Sequence, residues 1–508
     1  MEATMLIYSS LLILFFISIF KLLLKSSYSK NLPPSPSALP VLGHLHLLKK
    51  PLHRTYHNLS QQFGPIFSLR FGSQLVVVVS SPSAVEECFT KNDVVLADRP
   101  RFTINKYIAY NCTTLATSSY GDHWRNLRRI STVEVLSSTR LNKSTGIRKD
   151  EVKILLRKLY KISGGGHEFA KVELRRLFSE LTFNIAMRMI TGKRYYGEEV
   201  AGIEHARQFR ELLEEMFAFA GAAYPGDFVP IFKYFDTKGY VKNVKKLGKK
   251  TDLFFQGLID EHRRNKGDSS ESGNTVIDHL LSLQESQPEY YTDETIKGLA
   301  LSIVAAGSHT SAVTIEWAMA NLLNHPDIIN KIRDEMEAFL GPQLLLDEAD
   351  LPKLQYLQNT ISETYRLYPA TPVITPHMSS DYCTVGGYTI PPKTILLVNA
   401  WSIHRDQTLW DDPTCFKPER FENKEAYTYK LMPFGVGRRA CPGIGLANRI
   451  VGLSLGSLIQ CFDWKRVGEK PIDMVEGTGG LAMPKLEPLE ALCKARPIMD
   501  IVLTQAVL

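Results

Sequence analysis

The seven cysteines of this chain (Cys88, Cys112, Cys383, Cys415, Cys441, Cys461 and Cys493) make no CxxC pair and follow no regular spacing. That scatter excludes a structural zinc knuckle, which needs clustered thiolate and imidazole ligands. An odd number cannot close a disulfide framework, so a reducing, cytosol-facing location is expected. No GxGxxG fingerprint occurs, which argues against an internal nicotinamide-binding domain. The chain also lacks internal repeats, low-complexity tracts and any Pro/Gly-rich linker after the N-terminal region, so one large domain is the simplest organisation. The formal net charge is +7, but basic residues are spread along the sequence apart from one lysine-rich stretch, Lys238 to Lys250. No nucleic-acid partner is expected from that distribution.

What is present starts with an address. Ala3 to Phe20 carries no charge, and apolar character resumes at Leu22 to Leu24 after Lys21. This length suffices for one bilayer-spanning helix. Glu2 precedes it while Lys21, Lys25 and Lys30 follow, so the basic flank places the body in the cytosol. Residues 1–24 are therefore read as a single-pass membrane anchor. Residues 25–37 form a basic and proline-rich linker, stiffened by Pro33, Pro34 and Pro36. Residues 38–508 are the remaining body.

Within that body, Ile66–Phe71 and Leu75–Val79 are β-rich and bounded by Gly72, Ser80, Ser81 and Pro82, the pattern of a hairpin. Helical periodicity dominates after residue 120, over 147–162, 173–191, 204–219, 250–264, 293–323, 325–339 and 354–367. Arg263 to Asn274 is polar and unpatterned and reads as an exposed loop. The fold class expected is mainly α with small β-sheets.

One cysteine stands apart. Cys441 lies in Pro433-Phe-Gly-Val-Gly-Arg-Arg-Ala-Cys-Pro-Gly443, just before the apolar run Ile444 to Leu458. Small neighbours let its sulfur approach a flat macrocycle, and backbone N–H groups at a helix start stabilise a thiolate. A thiolate donates strongly to iron, the use of cysteine as an axial haem ligand. Arg439 supplies a fixed positive charge suited to a haem propionate. The string matches FxxGxRxCxG at Phe434, Gly437, Arg439, Cys441 and Gly443, and so resembles the haem-binding loop of the cytochrome P450 family.

The resemblance covers almost the whole chain. Glu363-Thr-Tyr-Arg366 is similar to the family's ExxR, with carboxylate and guanidinium on one helix face. Pro418-Glu-Arg-Phe421 resembles its PERF motif, implying that Arg420 joins Glu363 and Arg366 in a structural lock. Trp124 and Arg128 match WxxxR and are implied at a propionate, with His377 as a third partner there. Phe434, Gly435 and Gly443 are implied in the cofactor loop around Cys441, the iron ligand. The stretch Ala306-Gly-Ser-His-Thr-Ser311 looks like the family's oxygen-activating groove, implying catalytic roles for Gly307, Ser308, His309 and Thr310. His309 stands where the family pattern has an acid. An imidazole can still relay protons near neutral pH, so oxygenation is not excluded.

The phrases Leu39 to His46, Asn399 to Asp406 and Thr384 to Tyr388 resemble the plant microsomal branch that includes isoflavone hydroxylases and sesamin synthase. The cofactors implied are haem b, with NADPH acting through a separate NADPH–cytochrome P450 reductase. The location implied is the endoplasmic reticulum membrane. The substrate implied is a small hydrophobic or phenolic natural product, hydroxylated, bridged by a methylenedioxy group or coupled. Substrate-facing segments map to 101–117, 302–310, 371–375 and 481–482. Arg125, Arg129 and Arg438 are candidates for the reductase-facing surface. Two other readings remain: an electron-independent haem-thiolate isomerase or dehydratase, against which Thr310 speaks, and a non-catalytic haem-binding membrane protein.

Overall fold

The computed structural model describes residues 2–25, 31–166, 168–220, 224–236, 239–265, 275–423, 427–478 and 482–504. Lys30, Lys238, Leu481 and residues 266–274 of the expected loop lie outside them.

Helices make the bulk of the body, and the 32-residue helix Asp293–Asn324 runs through its middle. Thr292 caps it, its side-chain oxygen accepting from the Thr295 N–H, and Asp293 and Glu294 add favourable charge to the first turn. From Ser311 to Leu323 every residue is buried. This helix packs on Leu174–Thr191 and on Ile444–Cys461. Around their contacts lies the largest apolar core, with Phe178, Ile315, Met319, Leu357, Leu455 and Leu458 fully or nearly fully buried. Among the described residues two helices, Asp293–Asn324 and Ile444–Cys461, are long and apolar enough to cross a membrane, but both are largely inside the fold. They are core helices.

The helix Tyr240–Asn265 begins inside the run of lysines that masked it in the sequence, ten residues before the expected start at 250. Val244, Leu247, Gly248 and Thr251 face the core while the intervening lysines stay outside, a pattern that charge alone obscures. Val276–Ser286 and Leu52–Phe63 are helices that the periodicity did not bring out.

The sheets are small. Ile66–Phe71 pairs antiparallel with Gln74–Val79, Ile66 opposite Val79, and the second strand continues in parallel to Ile395–Val398. His377–Met378 closes that sheet at its other edge. Ala170–Glu173 joins two strands near the C-terminus, Glu490–Ala495 and Phe462–Arg466, in a second sheet, and Cys383–Val385 with Tyr388–Ile390 makes a hairpin.

The N-terminal helix Glu2–Lys25 carries the uncharged run, and its side chains at Met5, Ile7, Tyr8 and Leu11 to Phe16 are all more than half exposed. The proline segment that follows lies along the body. Asn31 donates to the Gly387 carbonyl at 2.7 Å and its own carbonyl accepts from Thr389, while the Pro33 and Pro34 carbonyls accept from Ser68. An extended proline backbone leaves its carbonyls free to accept, and the first sheet uses them.

Candidate active site

The cysteine loop is shaped by its own backbone. Gly435 and Gly437 take φ of +70° and +72°, the left-handed region that L side chains avoid. A Cβ on Gly437 would also sit 2.6 Å from Asp93 Oδ1, a carboxylate that accepts from the Arg438 backbone N–H. Two reasons therefore require glycine there. The Cys441 N–H donates to the Phe434 carbonyl at 2.8 Å and closes the loop. Gly443 then caps the helix Ile444–Cys461, and its N–H reaches the Cys441 sulfur.

That N–H does not win. Burial raises the Cys441 thiol above its ordinary value, against smaller lowering contributions from the Gly443 N–H and the Arg128 charge. Helix-start stabilisation, expected from the sequence, is thus outweighed by desolvation. A metal ion that took the sulfur would displace that proton, since metal binding releases it. Cys441 nonetheless keeps accessible surface while protein encloses it, so its thiol faces an internal space.

The middle of the central helix has the same property. Ser302, Ile303, Ala305, Ala306, Gly307, His309 and Thr310 retain accessibility in a helix otherwise buried from Ile296 to Leu323. Spaced by three and four, most of them form one strip. A Cβ added at Gly307 would meet nothing within 4 Å. Thr310 Oγ1 bonds back to the Ala306 carbonyl at 2.7 Å, and Ser308, which is buried, back to Val304 at 2.7 Å. Such back-bonding by hydroxyl side chains loosens and bends a helix. His309 packs its ring on Phe217, centroids 5.3 Å apart, and burial followed by the Arg175 charge lowers its pKa.

Four basic side chains gather beside the loop. Arg128 donates to the Ala440 carbonyl at 2.6 Å, directly before Cys441. Arg439 donates to the carbonyls of Ala97 at 2.7 Å and Ser118 at 2.6 Å and stacks over Trp124 at 4.2 Å. The Trp124 indole N–H goes to Leu115. His377 is bonded to the Leu96 carbonyl at 2.8 Å, and burial together with the Arg99 charge holds it neutral. Arg99 has no matching motif and was invisible to pattern reading. It donates to Thr375 and Pro376, and its buried Nε has no partner. Burial draws Arg99 down to about 9 and Arg439 to about 10. Among the described residues no carboxylate lies within ion-pair distance of Arg99, Arg128 or Arg439.

Arg99 is buried and Arg128 and Arg439 are half-buried, with Asp98, beyond ion-pair distance, favouring the Arg439 charge; guanidinium groups so desolvated and so little compensated are costly unless anions join them. The two propionates of haem are such anions, and a flat macrocycle suits a loop whose sulfur is flanked by glycines. The residues present fit haem: Cys441 for its iron, Arg99, Arg128 and Arg439 for its propionates.

The lock expected around Glu363 is assembled on Gln355–Leu367. Glu363 and Arg366 are fully buried and joined by bonds of 2.7 and 2.8 Å, and Arg420 Nε reaches the same carboxylate at 3.0 Å. The Lys417 backbone N–H adds a fourth donor at 2.9 Å. Arg366 in turn donates to the carbonyls of His404, Pro413 and Cys415. His404 is buried, and desolvation, with Arg405 and Arg366 nearby, pulls it down to about 3. The candidate reductase-facing arginines Arg125 and Arg438 are exposed and paired with Asp122 and Asp93.

Comparison with known proteins agrees with this geometry. The cytochrome P450 family model matches residues 33–489. The chain is 56% identical over 506 residues to cytochrome P450 81Q32 of Catharanthus roseus, covering 99% of this chain and 100% of that protein. It is 55% identical over 500 residues to isoflavone 3'-hydroxylase of Medicago truncatula, covering 97% and 99%. It is 52% identical over 511 residues to the (+)-piperitol/(+)-sesamin synthase CYP81Q2 of Sesamum radiatum, covering 99% of each. Among solved structures, a zebra fish cytochrome P450 with progesterone superimposes with a TM-score of 0.75 at 23% identity, over 88% of this chain and all of that one.

Proposed function

Because the chain belongs to the cytochrome P450 family of haem-thiolate monooxygenases, we propose that it oxygenates a small plant phenolic of the isoflavonoid or lignan class. The outcome is ring hydroxylation or oxidative ring closure, as a methylenedioxy bridge or a phenol coupling. The observation that carries the site is the accessible Cys441 thiol beside Arg128, Arg439 and the buried Arg99, none of them within ion-pair distance of a carboxylate among the described residues. The substrate class is supported by the names of the relatives, an isoflavone hydroxylase and a sesamin synthase.

Haem bound through Cys441 supplies dioxygen activation, with electrons from NADPH by way of a separate reductase. The chain's own residues do the rest. Arg99, Arg128 and Arg439 hold the propionates, with His377 and Trp124 packed behind them. Gly307 leaves room on the central helix. Thr310, with its hydroxyl on the Ala306 carbonyl, holds water and moves a proton toward the reacting oxygen. His309 does not replace an acid in that line, since its ring lies on Phe217 and burial keeps it neutral. Ile303, Ala305 and Ala306 on the helix, with the segment 371–375, pack a flat substrate. Glu2–Lys25 anchors the enzyme in the endoplasmic reticulum membrane with the body in the cytosol. Retention of Thr310 favours electron-dependent oxygenation over reductase-free isomerisation or dehydration.

The test is conversion of an isoflavone and lignan panel by microsomes with NADPH. Product that requires added reductase supports the proposal, whereas equal conversion without reductase contradicts it.

Gly307→Ala separates substrate space from stability. Alanine favours a helix over glycine by roughly 0.5–1 kcal/mol, so thermal stability should hold or rise. The new methyl enters open space on the accessible strip and should cut turnover of the bulkiest panel members by roughly tenfold, within the range one methyl group commands in a pocket. Thermal melts and turnover on the same preparation check both halves.

A further inference from the structure

Met432 opens the loop that ends at Cys441, and its buried N–H must find an acceptor. That acceptor is a side chain, not backbone: His404 Nε2, at 2.9 Å. The opposite ring nitrogen, Nδ1, faces the Arg366 carbonyl at 3.1 Å. An amide N–H only donates and a carbonyl only accepts, so Nδ1 carries the proton and Nε2 is the free lone pair. The His404 carbonyl receives the Arg366 guanidinium at 2.6 Å in return. The imidazole is fully buried and bridges two segments that are otherwise far apart in sequence.

Each end of that bridge leads somewhere. Arg366 belongs to the cluster with Glu363 and Arg420. Met432 accepts the Gly435 N–H at 3.1 Å, and Phe434 accepts the Cys441 N–H at 2.8 Å. A continuous path of short bonds therefore joins the buried ion cluster to the residue that carries the sulfur.

We propose that His404 is a positioning residue that ties the Glu363–Arg366–Arg420 cluster to the Cys441 loop and so holds the sulfur in place for haem iron. The proposal rests on Cys441 being that ligand. A glutamine side chain puts an acceptor oxygen near the position of Nε2 and keeps the Met432 bond. Asparagine puts a donor near Nδ1 and keeps only the Arg366 bond. Phenylalanine fills the space and keeps neither.

The experiment uses the full-length protein, haem-loaded, as wild type, His404→Gln, His404→Asn and His404→Phe at matched haem content. The readout is the half-life of the thiolate-type band in the reduced carbon monoxide spectrum. His404→Phe, which loses both bonds, should shorten it by about fivefold or more, at least the effect of one lost buried hydrogen bond, with His404→Gln nearer to wild type than His404→Asn. Half-lives all within about twofold of wild type would overturn the proposal, as would asparagine outlasting glutamine. If the variants do not load haem, amide hydrogen exchange over residues 430–434 of the wild type decides: slow exchange supports the bridge and rapid exchange overturns it. A wild type with no thiolate-type band would instead overturn the ligand assignment.

Discussion

Glu363→Gln is expected to abolish accumulation of folded, haem-loaded protein. Glu363 has no exposed surface and accepts four bonds, from Arg366 twice, from Arg420 and from the Lys417 backbone. Glutamine keeps the shape but turns an amide NH2 toward guanidinium donors and removes the charge that two arginines share. Breaking one partner of a buried ion pair costs roughly 3–5 kcal/mol because the remaining charge is left uncompensated. Against a total stability of about 5–15 kcal/mol, that is a large fraction. The measurement is haem content and thermal melting of the variant beside wild type. A melting curve like that of the wild type would show that the cluster does not hold the fold together.

Cys441→Ala is the second large effect, and it falls on chemistry rather than folding. The loop is closed by the Cys441 backbone N–H, not its side chain, so alanine leaves the bond to Phe434 in place. The apoprotein should keep its fold and lose no more than about 1 kcal/mol, because alanine removes only the sulfur that the Gly443 N–H reaches. Product formation should fall below detection, because alanine offers no thiolate to iron. The two variants thus separate the roles: Glu363 fails at folding with its thiol intact, while Cys441 fails at ligation with its fold intact.

Much of this architecture was readable from residue patterns, and the reasons are physical. Asp293–Asn324 was legible over 293–323 because an N-cap and acidic first turn precede a long apolar run. The loop around Cys441 was legible because left-handed turns and close approach demand glycine at fixed offsets. Glu363, Arg366 and Arg420 were legible through their resemblance to the family's ExxR and PERF motifs, whose ion cluster needs those side chains in that order.

Other features left no such trace. The helix Tyr240–Asn265 was hidden at its start by lysines that decorate its outer face. Arg99 and His404 escaped because each works largely through backbone carbonyls and N–H groups, which every residue carries. The orientation of His309 could not be read from its position in a motif, since Phe217 comes from a helix about ninety residues earlier, Glu204–Ala220. The weak thiolate stabilisation at Cys441 likewise depends on burial, a property of the assembled fold.

The reduced carbon monoxide difference spectrum, recorded on wild type and Cys441→Ala microsomes at equal haem content, tests the central assignment most directly. A thiolate-type band in the wild type that is missing from Cys441→Ala is the result expected if Cys441 binds the iron. The same thiolate-type band in both preparations, or its absence from folded, haem-loaded wild type, would contradict it.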